Sequence, residues 1–139
     1  MKQTQAFLST YTADVSGVCS ALFELGGMTV MHDASGCNST YNTHDEPRWY
    51  DMDSLVYISG LSELEAVMGD DEKLITDIVD AARQLHPRFI ALAGTPIPMI
   101  TGCDLPAIAR EVEGRTKIPS FAVPSNGIGT YVAGAGQAL

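Results

Sequence analysis

The sequence is short of cysteine, short of positive charge, and without a long apolar run. It has three cysteines, Cys19, Cys37 and Cys103, with no CxxC pair. The odd, sparse count argues against a disulfide framework, and the missing pairs exclude a zinc ribbon or thioredoxin motif. Eight basic residues face 17 acidic ones, for a net charge of −9. That balance excludes a nucleic-acid groove, which needs a basic stripe; the acidity suits either plain solubility or a surface that docks a basic partner. No stretch approaches the roughly 20 apolar residues of a membrane helix. The opening MKQTQAFLST has no apolar core of a secretory signal, so a cytoplasmic protein is expected. No GxxxxGK[ST] loop exists, so the chain is not expected to hydrolyse ATP itself, and no nucleophile elbow supports a Ser-His-Asp arrangement. The glycines at Gly127, Gly129, Gly134 and Gly136 lack dinucleotide spacing and read as close helix packing.

What is present fits one domain over residues 1–139. The chain is 45% hydrophobic and 18% charged, enough to bury a core and too apolar for disorder. Strand and helix signals alternate. Val15 to Leu25 reads as a helix ended by Gly26-Gly27, and Met28 to Met31 as a strand. Leu55 to Ile58 is expected to be a buried strand. Asp70-Asp71-Glu72 opens a helix whose apolar stripe is Leu74, Ile75, Ile78, Val79, Ala82 and Leu85, with acidic residues at the positive end of the dipole. Pro87 stops it before the strand Phe89 to Ala93. Two prolines make Gly94 to Pro98 a loop rather than a strand or regular helix. Asp104 caps the next helix, with Pro106 in its first turn, Leu105, Ile108, Ala109 and Val112 on its apolar face, and Gly114 at its end. Ile118 to Val123 is a strand, and Tyr131 to Leu139 a small-residue helix. The chain stops inside that helix, which reads as a truncated C-terminal end.

The alternation predicts an α/β domain: a Rossmann-like three-layer fold with a parallel sheet covered on both faces. Ligands in such sheets sit beyond the carboxyl ends of the strands, so residues 32 to 37, 59 to 63 and 94 to 103 share one functional edge. The strongest local feature there is Ser35-Gly36-Cys37 after a strand, with Cys19 on the preceding helix. A helix N-terminus favours a thiolate or an anionic cluster, and Gly36 would let the backbone approach closely. Against this stands the plain reading of Cys19 and Cys37 as small core residues. A Cys₃His zinc set of Cys19, His32, Cys37 and Cys103 is the competing metal site, without the short ligand pairs of structural zinc. His44, Asp45, Glu46 and Arg48 beside Trp49 and Tyr50 form a surface loop or a partner-facing edge.

The order of these features resembles the first domain of nitrogenase component 1-like oxidoreductases, the β-type subunit in particular, from about Cys19 to Gly136. The resemblance is carried by Cys19 in VCSALFELGG and by Cys37 in MHDASGCNSTYNTHDEP. It continues through residues 62–74, which stand where the family has a VFGGxxxL segment, and residues 93–105, where it has a TTC-type loop. The final FAVPSNGIGTYVAG stands for the family's last strand and turn. The resemblance implies a first domain of a larger multi-domain subunit with oxidoreductase function. It implies iron–sulfur ligation by Cys19 and Cys37 with Gly36 beside them, electron transfer from an ATP-dependent iron protein, and a homo- or hetero-oligomer. The family's third cysteine position is Pro96 here, and Cys103 stands apart from it. A 4Fe-4S cluster shared across a dimer therefore fits better than an eight-iron P-cluster. Other readings of the same residues are a non-catalytic scaffold for metallocofactor assembly, or a Rossmann-like binding domain with structural cysteines.

Overall fold

Short runs of β-branched and apolar residues, each cut off by glycine or proline, make four strands that pair in one parallel sheet. A computed structural model describes residues 13–34, 36, 38, 41, 47–52 and 55–139. Helix α1 (Asp14–Leu22) leads into β1 (Met28–Met31), and a 3₁₀ turn (Pro47–Tyr50) precedes β2 (Val56–Ile58). Then come α2 (Glu63–Met68), α3 (Asp71–Leu85), β3 (Ile90–Ala93), α4 (Pro96–Thr101), α5 (Leu105–Thr116), β4 (Ser120–Val123) and α6 (Tyr131–Ala138). The strand order is β2-β1-β3-β4, with Thr29 opposite Val56, Met28 opposite Ile90, and Ile90 opposite Ser120.

Strand periodicity divides the core into two. Met28, Val30, Ile90 and Leu92 face α3 and α5 and pack with Leu74, Ile78, Ile108 and Val112. Met31, Ala91, Ala93 and Val123 face the other way, toward α1 with Val15, Val18, Cys19 and Leu22. Because successive strand residues point to opposite faces, one sheet supplies both cores, and β1 and β3 are buried throughout. This is the expected three-layer α/β fold. The layer of α1 and α6 is tight because Gly17 and Gly134 have no side chain: a β-carbon at either would overlap the backbone of the opposing helix.

Several details differ from the sequence expectation. The β2 strand is an edge, with Tyr57 36% exposed, because β1 alone pairs with it. Gly94 to Pro98 is not all loop. Pro96 starts α4 at its first position and Pro98 follows in the first turn, where the N–H groups have no intrahelical acceptor to lose. Gly114 does not end α5. The helix runs to Thr116, whose hydroxyl bonds the Val112 carbonyl at 2.8 Å, and a left-handed Lys117 closes it. Leu85 lies outside the core at 39% exposure. The short α2 starts at a capping box, in which Ser62 and Glu65 cap each other reciprocally. Among the described residues, no helix is long and apolar enough to cross a membrane.

Candidate functional site

The chain leaves β1 toward β2 on one side and β3 toward β4 on the other. The carboxyl ends of β1 and β3 therefore form the switch point of the sheet, the usual ligand crevice of such folds. The three predicted loops do meet there, and His32 and Ser59 stitch them together. The His32 N–H donates to the Ala93 carbonyl at 3.0 Å, and the Thr95 hydroxyl donates to the His32 carbonyl at 2.7 Å. Nδ1 of His32 lies 2.8 Å from Ser59 Oγ, which accepts the Asp33 N–H at 3.1 Å. The Leu61 N–H donates to the Asp33 carbonyl at 2.8 Å. Burial lowers the His32 pKa below its ordinary value, opposed by Asp71, Asp33 and Glu65.

Two spaces flank this seam. One, of about 420 Å³, opens between Val15, Asp33, Gly36, Asn38, Thr95 and Gly127. The Asn38 amide donates to the Asp33 carboxylate within it. The other, of about 250 Å³, lies beside α2 and the starts of α3 and α5, with His32, Glu65, Asp71, Cys103 and Asp104 on its walls. Its carboxylates mostly serve the fold. Asp70 and Asp104 cap helices. Glu65 is held below the usual carboxylate range, at about 2, by the Ser62 hydroxyl and N–H and by Lys73.

Cys19 is fully buried on α1, and desolvation pushes its thiol up to about 12. Val15, one helical turn earlier on the same face, forms part of the 420 Å³ cavity wall. Gly36 borders that cavity and is exposed. A β-carbon at Gly36 would meet nothing within 4 Å, so close backbone approach is not its reason, and the space beside it is open. Ser35, Cys37, His44, Asp45 and Glu46 lie outside the described residues. Arg48 reaches α1: its guanidinium donates to the Ser20 carbonyl at 2.8 Å, pairs with Glu24, and covers the Phe23 ring. Tyr41 is buried in the same apolar cluster as Cys19, with its hydroxyl 3.1 Å from Ser20 Oγ.

The zinc set fails. Cys103 packs on the α3/α5 face and Cys19 on the α1 face, with the sheet between them. Cys103 is half-buried, near Asp71, and its thiol is pushed up to about 11 by burial and by that carboxylate. Among the described residues, no group of three or more His, Cys, Asp or Glu side chains could hold a metal ion. Sequence reasoning missed Ser59 and Thr95, whose hydroxyls carried no motif. It also missed Asp14, a buried carboxylate that accepts the N–H groups of Asn126 and Gly127 at 2.9 and 2.7 Å.

Comparison with known proteins agrees with this geometry. The nitrogenase Cp1 structure at pH 5 superposes with a TM-score of 0.77 at 19% identity, over 99% of this chain and 30% of that one. The structure at pH 6.5 gives a TM-score of 0.76 at 19% identity, over 99% and 29%. The chain thus spans about 30% of the length of the structures it matches, and at this identity they show the fold. No curated protein is matched by sequence. The family model for nitrogenase component 1 type oxidoreductases matches residues 14–139, and the chain belongs to that family.

Proposed function

We propose that this domain is the electron-relay part of a nitrogenase-like oxidoreductase, with Cys19 and Cys37 as ligands of an iron–sulfur cluster at the switch point of the sheet. The observation that carries the reading is one of position. Gly36 and Asn38, the neighbours of Cys37 in sequence, share one cavity with Val15, a single helical turn before Cys19. Of the two proposed ligands, Cys19 lies among the described residues. Cys19 is packed with Val15 in the apolar cluster of α1, surroundings of low dielectric that suit a redox cluster. In protonation it needs one change: the buried Cys19 thiol is neutral at pH 7, so ligation must displace its proton. Thr95, His32 and Ser59 fix the loop between the strand ends and hold the rim in place. The cluster, when bound, supplies one-electron storage and transfer.

Two cysteines from each chain, met by two from a second copy or a related subunit at a shared axis, would complete a 4Fe-4S ligand set. The electron donor is an ATP-dependent iron protein. A docking face on α2 and α4 is supported by their contact with each other and by the exposure of Leu64, Val67, Met68, Met99 and Ile100. No residue of α2 is buried, and exposed apolar surface of this extent marks an interaction site. Glu63 on α2 and Asp70 and Asp104 at the starts of α3 and α5 are exposed, which suits a partner with a basic rim.

The test is iron and acid-labile sulfide in the protein prepared without oxygen. Wild type is expected to hold about two irons per chain, half of a shared four-iron cluster. Cys19→Ala and Cys37→Ala are expected to lose them while keeping the circular dichroism of the wild type. Full iron content in either variant would defeat the assignment. Iron without reduction by an iron protein and ATP would leave a cofactor-assembly scaffold as the function.

A further inference from the structure

The backbone of His32 is held on both sides, by Ala93 and Thr95, so only its ring can change its bonding. His32 is 6% exposed and follows β1 at the sheet edge. On one side, Nδ1 meets Ser59 Oγ at 2.8 Å. Ser59 Oγ in turn accepts the Asp33 N–H and lies 3.2 Å from the Asp33 carbonyl. Asp33 lines the 420 Å³ cavity with Gly36 and Asn38. On the other side, His32 lines the polar cleft, and among the described residues Nε2 has no hydrogen-bond partner.

We propose that His32, Ser59 and Asp33 form a proton-sensitive hydrogen-bond relay in which proton uptake at Nδ1 of the ring tightens the backbone at Asp33. It deepens the electron-relay reading, on which its link to a cluster rests. The reason is the single proton of a serine hydroxyl. With Nδ1 bare, Ser59 gives that proton to His32, and the Asp33 carbonyl keeps only the Leu61 N–H. With Nδ1 protonated, the ring donates to Ser59, and Ser59 turns to the Asp33 carbonyl, which gains a second donor. An imidazolium carries both N–H groups, so it allows the second arrangement alone. The neutral ring carries its proton on Nε2, toward the cleft; in acid the Ser59 hydroxyl passes its proton to Nδ1 and takes one from water in the small space it lines with His32, and the steps reverse when the pH rises.

Charge around the ring comes from several elements. Asp33 follows β1, Glu65 lies on α2, and Asp71 opens α3. Asp70, Cys103 and Asp104 stand in the cleft, and Lys73 lines the smaller space beside Ser59, held by Glu65 at 3.0 Å. The carboxylates favour the imidazolium, and burial opposes it more strongly. The ring is therefore neutral at pH 7, and the relay switches in acid, below the ordinary histidine range.

The experiment is an NMR titration of the protein from pH 4 to pH 8, following the His32 ring and the amides of Asp33 and Leu61. Both amides are expected to move with the ring's midpoint, and His32→Gln, which keeps the carboxylates, should abolish that movement. In Ser59→Ala the ring should still titrate while the Asp33 amide no longer follows it; Ser59→Thr should restore the coupling. An Asp33 amide that follows the ring equally in Ser59→Ala, or that does not move with it in wild type, overturns the relay. In iron-loaded protein, His32→Gln should lose the pH dependence of the midpoint potential over that range. Wild type without iron would overturn the cluster reading, and the titration would still decide the relay.

Discussion

Asp14 and Gly127, 113 residues apart in sequence, are joined by a 2.7 Å hydrogen bond from the Gly127 N–H to a buried carboxylate oxygen. The same carboxylate takes the N–H of Asn126 at 2.9 Å and that of Val15 at 2.8 Å, while the Asp14 N–H donates to Gly129. One side chain thus ties the start of α1 to the turn before α6 and closes the layer that carries Cys19. Asp14→Ala would leave the buried Val15 N–H and the part-buried Asn126 and Gly127 N–H groups without this acceptor, at a cost of about 1–3 kcal/mol. Urea unfolding measures it, and a loss below about 0.5 kcal/mol, the level of an ordinary surface substitution, would mean that water replaces the carboxylate.

The contact between α1 and α6 predicts a contrast between two glycines of one helix. A β-carbon at Gly134 would overlap the Asp14 backbone, whereas one at Gly136 would meet nothing within 4 Å. Gly134→Ala is expected to destabilise by about 1–3 kcal/mol or more, because rigid backbone must move. Gly136→Ala is expected to stabilise by about 0.5–1 kcal/mol through helix propensity. Equal effects at both sites in thermal unfolding would show that the helices can part freely.

Burial of Cys19 sets a pH dependence. Its folded pKa is raised from 9.0 to about 12, so folding favours the protonated thiol. The stability is fully present below pH 9 and falls as pH rises from 9 toward 12, because the unfolded chain releases the proton first. The slope from one such group is about 1.4 kcal/mol per pH unit. Iron-free wild type should show this extra loss relative to Cys19→Ala in denaturant titrations at pH 8, 9 and 10. Parallel curves would place the thiol in contact with water. Iodoacetamide should likewise leave Cys19 unmodified at pH 8 in the folded protein.

The exposed face of α2 gives a prediction about partners. Val67 is 78% exposed and α2 buries no residue, so Val67→Glu should change stability by less than about 0.5 kcal/mol. It should weaken docking of the iron protein by tenfold or more, by placing charge in an apolar interface centre. Unchanged reduction rates at limiting iron protein would remove α2 from the docking surface.

The course of the chain was legible wherever local chemistry decides the outcome. The stripe of Leu74, Ile75, Ile78 and Val79 marked α3, and Asp104 with Pro106 marked the start of α5. The apolar runs at Met28 and Phe89 marked the two central strands. Errors fell where local rules compete. Pro96 and Pro98 suggest a break in sequence, although a first helical turn tolerates them. Gly114 was read as a stop, although Thr116 and Lys117 carry the end of the helix. The exposure of β2 depends on its having one neighbour, which no window of sequence contains.

The sequence by itself determined the alternation of strands and helices, and with it a parallel sheet whose carboxyl edge gathers three loops. It also determined the acidic charge and the number of thiols. Only the tertiary structure decided that Cys19 and Cys103 lie on opposite faces, that Asp14 closes the α1/α6 layer, and that His32 and Ser59 join the loops. Each of these is a contact between residues distant along the chain. Such contacts follow from which strand lies next to which and how closely two helices approach, and these are properties of packing that no local pattern of residue types encodes.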